Sequence, residues 1–378
     1  MRCNDLVAEI GNMARRPWPD AVSLPPRAYF SEDLHALEID RIFRREWLCV
    51  GHISQVPQAG SYLTAEIIGT PIAVVRAKDQ SLSVLANSCV HRGTKILNGT
   101  GRVKFLVCPY HSWSYDLTGE LTSAPGMSGE DSARLAKCRL AQVRHEVWNG
   151  WIYVNLQPDA RALLPRLAGL SELVTPYREE KKSVLFAMEE EWPANWKMLA
   201  ENFMESYHLP VVHPRTVNRG SPVSGVDCWP GGEGFAYHTL QIARKDDHPT
   251  SFEESVPAET RDKEILTCVF PSHLLSITPH NTLSLSVQPF GVDRLRASVV
   301  YLINSEYVRA TGQSLDAAAN SARAYFDRFN AEDKAIVARL CAGLKSSLAR
   351  SGPLAPLERP LWEFHKYLAR QLCDHPTT

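Results

Sequence analysis

No stretch of this 378-residue sequence approaches the roughly 20 consecutive apolar residues that a membrane helix needs. Met1 to Pro19 mixes charges with prolines and lacks the apolar centre of a secretory signal, so a cytoplasmic protein without a membrane partner is expected. An excess of one charge sign is also missing. Lys and Arg number 41 against 42 Asp and Glu, a net of -1, which leaves no global basic field for phosphate backbones and excludes nucleic acid as the expected partner. No Gly-x-Gly-x-x-Gly opens a βαβ unit, and Gly99-Thr100-Gly101 lacks the rest of that pattern. Disulfide spacing is absent as well. The nine cysteines are odd in number and scattered, and Cys3, Cys49, Cys138, Cys228, Cys268, Cys341 and Cys373 read as ordinary thiols. There is no internal repeat and no low-complexity tract.

What is present is enough hydrophobic material, 44% against 22% charged residues, for two domains with real cores. Ser31-Glu32-Asp33 followed by Leu34, Leu37, Ile39, Ile42 and Phe43 predicts a lead-in helix with acidic residues at its start. From Trp47 to Leu156 the pattern changes to short β-rich runs, among them Ile67 to Arg76, Leu82 to Ala86 and Val147 to Leu156. Asp159 to Glu180 reads as a crossover. Beyond it come a strand (Ser183 to Glu190), a helix (Trp196 to Leu209), strands between Gly234 and Ile303, a long helical segment (Leu315 to Leu348) and a terminal helix (Leu361 to Leu372). The fold class is α+β, an N-terminal β-rich domain and then an antiparallel sheet with helices on one side.

Two loops in the β-rich region each supply one Cys and one His: Cys89-Val90-His91-Arg92-Gly93 and, with sixteen residues between His91 and Cys108, Cys108-Pro109-Tyr110-His111-Ser112-Trp113. Thiolate with imidazole permits either an iron-sulfur cluster or tetrahedral zinc. Zinc fingers usually pair like with like in each loop. The mixing here instead lets two cysteines face one iron and two histidines face another. Four unrelated core residues, or a structural zinc site, are the competing readings.

A second constellation lies between Asn195 and Pro214. Oxygen-activating non-haem iron is commonly held by two histidines and one carboxylate, and Glu201, Glu205 and His208 fall on one face at helical spacing. His213 would point elsewhere on a continuous helix. Pro210 is expected to end the helix and Pro214 to constrain the next turn, folding His213 back toward the same metal. On pattern alone the same residues also describe a solvated helix face carrying a surface histidine.

Cys-x-His-Arg-Gly and Cys-Pro-Tyr-His-Ser-Trp-Ser-Tyr-Asp-Leu-Thr-Gly resemble the two cluster loops of Rieske oxygenase α subunits. Asn-Trp-Lys, Glu-Asn and Glu-x-Tyr-His with a second His five residues on resemble the catalytic helix of the same family. The resemblance implies a lead-in over 1–40, a Rieske domain over 41–158 and a helix-grip catalytic domain over 159–378. It implies a 2Fe-2S cluster on Cys89, His91, Cys108 and His111, and a mononuclear Fe(II) on His208, His213 and a carboxylate from a late helix. Asn330-Ala331-Glu332-Asp333-Lys334 resembles that segment, with Asp333 as the ligand ahead of Glu332 and Asp327. An acidic residue opening an exposed helical turn is the plain reading of Asp333. Glu205 and Asn202 take the catalytic positions. Glu205 is expected to hydrogen-bond His208 and a neighbouring subunit's His111, which implies a head-to-tail ring, a homotrimer. Dioxygen is then the co-substrate, and NAD(P)H acts through a separate reductase of flavin or ferredoxin type.

The implied activity is that of a terminal oxygenase that hydroxylates or oxidatively demethylates a small organic substrate. The layout is similar to the branch containing choline, glycine betaine, carnitine and proline betaine oxygenases, and Trp229, Phe235 and Tyr237 are candidates for an aromatic cage. Against that branch, Ala338 and Cys341 stand where such relatives carry Glu and Gln. Hydroxylation of an aromatic or natural-product substrate is the alternative, and a Rieske electron-transfer or ligand-binding protein without oxygenase activity is the alternative of a different class. Anaerobically purified protein is expected to contain about three irons and about two acid-labile sulfides per chain, with the visible spectrum of the cluster. Zinc without sulfide would defeat this reading.

Overall fold

The computed structural model describes residues 3–127, 129–242 and 255–373; the outermost domain ends read from the sequence, 1 and 378, lie outside them. The chain divides into two compact units, Leu48–Ala160 and a second made of Met1–Trp47 with Arg161–Thr378. The lead-in segment is therefore part of the second unit and not a body of its own. No helix among the described residues is long and apolar enough to cross a membrane.

The Leu48–Ala160 unit is built of three small antiparallel sheets. In the four-stranded one, Ser61–Ile67 pairs with Thr70–Arg76, which pairs with Leu82–Ala86. The sequence run Ile67 to Arg76 is thus a hairpin corner and one strand. The chain turns at Ile68 (φ 45°) and Gly69 (φ 76°), two successive left-handed residues whose twist suits a two-residue hairpin. The run Val147 to Leu156 is corrected in the same way. Arg144–Trp148 and Trp151–Asn155 pair antiparallel across Asn149 (φ 47°) and Gly150 (φ 84°). Asn-Gly is the strongest short hairpin signal, and continuous apolar patterning on both sides hid it. A core of Leu85, Leu97, Leu106, Trp113 and Tyr115 closes around Cys89 and Cys108.

In the second unit a seven-stranded sheet is antiparallel throughout. Phe235–Gln241, Lys263–Val269, His273–Ile277, Asn281–Gly291 and Arg294–Ile303 follow one another as neighbours, and the early strand Ser183–Trp192 joins the last of them at the edge. The helix Trp196–Met204 packs against five of these strands. Its start is fixed by Asn195, which accepts the Lys197 N–H and donates to the Val292 carbonyl at 2.8 Å. The long helix Leu315–Leu344 is held to the edge strand by Glu190, which accepts from Asn330 and, at 2.6 Å, from Lys334.

The N-terminal segment is fastened to this unit by buried charge. Ser31 caps the helix Glu32–Glu38 through the Leu34 N–H, and Glu38 accepts from Lys197 Nζ at 2.7 Å and Trp196 Nε1 at 2.9 Å. Both ions are 1% exposed. A buried pair adds little net stability, yet stranding one member costs about 3–5 kcal/mol. Glu38→Ala is therefore expected to destabilise the second unit by about that amount in a chemical-denaturation series. A loss below about 1 kcal/mol would mean that water replaces the carboxylate at no strain.

Candidate metal centres and active-site cavity

Each cysteine–histidine loop closes on its own cysteine. The Gly93 N–H donates to the Cys89 carbonyl at 2.8 Å and the Ser112 N–H to the Cys108 carbonyl at 3.0 Å. The closing residue has positive φ both times, 72° at Gly93 and 59° at Ser112. The two cysteines are each 2% exposed, whereas His91 and His111 are exposed with ring centroids 4.8 Å apart. Trp113 stacks on His91 at 4.7 Å, and the Tyr115 hydroxyl lies 3.1 Å from Cys89 Sγ. Burial works against a thiolate at Cys108, but the Tyr110 and His111 N–H groups outweigh it and its pKa falls below the ordinary thiol value. Sulfur ligands inside, imidazoles at the surface and N–H groups aimed at sulfur fit a two-iron Rieske cluster.

The helix carrying the second constellation stops at Met204, well before Pro210. Glu205 is extended (φ −130°, ψ 154°), and Pro210 sits in the first turn of a new short helix, Leu209–Val212. The expected single face of Glu201, Glu205 and His208 does not form. Glu201 turns away, accepting from the Tyr29 hydroxyl at 2.6 Å and meeting His365 Nε2 at 2.9 Å. One Glu205 oxygen takes the Tyr207 and His208 N–H groups, as a cap does. The other lies 2.5 Å from His208 Nδ1.

This break brings His208, His213 and Asp333 together, with one ligand atom from each within 4.8 Å of the others. Asp333 Oδ1 is 2.9 Å from His213 Nε2 and 3.8 Å from His208 Nε2. Glu332, the lesser ligand candidate, faces the other edge of the His213 ring, 2.7 Å from Nδ1, and also accepts from the Thr216 hydroxyl at 2.6 Å. Asp327 pairs with Arg323 at 2.8 Å on the exposed side of the long helix. Each histidine thus has a carboxylate on Nδ1 and turns Nε2 toward a common point, as second shells of metal sites arrange. Burial would lower the His213 pKa, but Asp333 and Glu332 outweigh it and hold it above the ordinary value. Two imidazole nitrogens and one carboxylate oxygen, with the remaining directions open to a cavity, fit a ferrous ion.

The cavity has a volume of about 290 Å³ and is lined by the three candidate ligands together with Asn202 and Glu205. Trp229, Phe235 and Tyr237 do not line it. Strand side chains alternate, and Leu240 and Ile242 take the cavity face, which sends residues 235 and 237 to the opposite one. Ala338 is exposed and Cys341 buried on the long helix, and neither is in the cavity wall. Reading the sequence missed Ser206, whose hydroxyl lies 2.8 Å from His238 Nε2. Burial and the neighbouring His208 push the His238 pKa down to about 3, so His238 is neutral. It also missed Glu264, considered below. Neither residue sits in a motif; only strand register could have pointed to them.

A cluster-type loop pair in one unit and a two-histidine, one-carboxylate site in the other define a non-haem iron oxygenase of Rieske type. Residues 46–142 match the Rieske [2Fe-2S] domain model, and residues 176–374 match the model for the ring hydroxylating alpha subunit (catalytic domain). The carnitine monooxygenase oxygenase subunit of Escherichia coli (strain K12) is 28% identical over 369 residues, covering 94% of this chain and 95% of that protein. The glycine betaine monooxygenase oxygenase subunit of Chromohalobacter salexigens is 36% identical over 197 residues, 52% of this chain and 44% of that one. A solved quaternary ammonium Rieske monooxygenase superposes with a TM-score of 0.82 at 22% identity, covering 96% of this chain and 98% of the other. The chain belongs to the ring-hydroxylating oxygenase α subunits. It is an iron-dependent oxygenase, the terminal component of a system in which a Rieske cluster, mononuclear iron and dioxygen are used with electrons from a reductase.

Asp333→Ala and His213→Ala are expected to lose about one iron per chain while keeping the acid-labile sulfide and visible spectrum of the cluster. Retention of full iron content in both variants would remove these residues from the ligand set.

Proposed function

We propose that this chain oxidises a small quaternary ammonium compound, inserting oxygen at a carbon next to the nitrogen so that hydroxylation or demethylation results. In this reading Cys89, His91, Cys108 and His111 hold the cluster, and His208, His213 and Asp333 hold the iron. When bound, these groups supply one-electron transfer and dioxygen activation. The protein's own part is orientation. Glu205 fixes the His208 ring by its Nδ1, Glu332 does the same for His213, and the backbone N–H groups of Tyr207 and His208 keep the Glu205 carboxylate from rotating. Asn202 stands in the cavity wall beside them, placed to orient substrate.

The observation that carries the reading is the short Glu205–His208 contact at the edge of the iron site. A carboxylate offers about four acceptor positions. Those on Glu205 are taken by His208 Nδ1 and two backbone N–H groups, which leaves one for the imidazole of a neighbouring subunit's cluster ligand, His111. Exposed apolar side chains flank both ends of such a bridge. Tyr110 is 55% and Val90 43% exposed beside the cluster histidines, and Tyr207 is 58% and Val211 84% exposed beside Glu205. These features support a head-to-tail homotrimer in which each cluster serves the next subunit. That none of the nine cysteines is in a disulfide supports a cytoplasmic setting, and a flavin or ferredoxin-type reductase is the electron donor in this scheme. The carnitine- and glycine betaine-oxidising relatives support the choice of substrate.

With such a reductase, L-carnitine or glycine betaine should drive dioxygen consumption in proportion to oxidised product; consumption without product from any quaternary ammonium compound would refute the substrate. Glu205→Ala should keep both metal centres and the mass of about three chains in sedimentation, yet slow reoxidation of the reduced cluster by at least about ten-fold. Unchanged reoxidation would end the bridging role.

A further inference from the structure

Glu264 is a carboxylate that nothing in the proposed iron chemistry uses. It lies on the strand Lys263–Val269, opposite Leu240, with its side chain in the wall of the same cavity as His208, His213 and Asp333. Protein surrounds it on its other sides. One oxygen accepts from the Ser276 hydroxyl at 2.5 Å and the other from the Ser221 hydroxyl at 3.3 Å. Among the described residues no Lys, Arg or His pairs with it. Burial raises its pKa above the ordinary carboxylate range although both serines oppose this. Its charge reaches the neighbouring rings: burial and then Glu264 push the Tyr325 hydroxyl up to about 12, and Tyr301 is raised as well.

An unpaired carboxylate in a cavity wall is costly unless it takes up a proton or a cation arrives with the ligand. The other walls suit a particular kind of cation. Tyr301, Tyr325, Phe326 and Phe329 line the cavity, and the Phe329 ring packs 5.4 Å from Tyr325 and 5.3 Å from Phe326. Aromatic faces attract cations through their quadrupoles without hydrogen bonds. An ammonium with N–H donors needs an acceptor for each of them, which the aromatic faces do not offer. A quaternary nitrogen makes no such demand. Its charge meets the carboxylate and its methyl groups meet the rings.

We propose that Glu264 is the counter-charge that selects a quaternary ammonium group, held between its carboxylate and the rings of Tyr301, Tyr325 and Phe329 beside the iron site. This rests on the substrate class proposed above and assigns it to one residue. Glu264 acts in binding and contributes nothing to oxygen chemistry.

The test is calorimetric binding to the anaerobic holoprotein, with choline and its uncharged carbon isostere 3,3-dimethylbutan-1-ol as probes. The wild type should bind choline at least about ten-fold more tightly than the isostere. Glu264→Gln should abolish that preference while changing isostere affinity less than about three-fold, and Glu264→Asp, which keeps the charge, should restore part of it. Unchanged cluster spectra and melting temperatures would confirm that both variants fold. A wild type without preference, or a Gln variant that keeps it, would overturn the assignment; so would an Asp variant no better than Gln. Turnover separates this from the substrate reading. Preference for the cation in the wild type without its oxidation would sink the substrate reading and leave Glu264 in place. Wild-type KM for carnitine in Glu264→Gln would do the reverse.

Discussion

The contact between Glu205 and His208 Nδ1 depends on a helix ending where it does, and so does the meeting of His208 with His213. Had the helix from Trp196 continued through Glu205, His208 and His213 would have pointed in different directions. Because Met204 is the last helical residue, Glu205 is free to turn its carboxylate onto the residues that follow. It caps the N–H groups of Tyr207 and His208 and takes the imidazole edge that must not face the metal. The chain then starts a new turn at Leu209 with proline in its first positions, where a missing N–H costs nothing, and that turn delivers His213.

The long helix answers from the other side. Neighbouring residues on a helix diverge by about 100°, so Glu332 and Asp333 reach opposite edges of one imidazole and hold it between them. Glu190 fixes this helix in depth by gripping Asn330 and Lys334, which lie one turn apart and flank that point. The carboxylates around the cavity thus have separate work. In the proposed assignment Glu205 and Glu332 orient rings, Asp333 offers an oxygen to the metal, and Glu264 faces the substrate space. What sets them apart is the partner each one meets: an imidazole, a backbone amide, or only a serine hydroxyl.

The two units differ in how their sites are made. In the Leu48–Ala160 unit both metal loops are turns of five residues that close on themselves, so ligand spacing and ligand geometry are nearly the same thing. In the second unit the donors come from a broken helix and from a helix more than a hundred residues later, and a sheet must hold them in place. The same holds for Glu264, whose serine partners and aromatic walls come from four separate elements.

The sequence by itself therefore determined the α+β class, the two cluster loops, the pair His208 and His213, and, through resemblance, Asp333. Those features are local or motif-bound, and thiol, imidazole and carboxylate in such spacing have few other uses. It could not decide where the Trp196 helix stops, because propensity favours helix through Glu205 and only the cap formed by its folded side chain ends it. It read two hairpin turns, Ile68-Gly69 and Asn149-Gly150, as parts of single runs because apolar residues stand on both sides of each. Tertiary structure alone removed Trp229 from the cavity wall and, through strand parity, Phe235 and Tyr237. It also turned Glu332 into a partner of His213 and brought Glu264 into the cavity wall, through sheet register and helix packing that no short window of sequence contains.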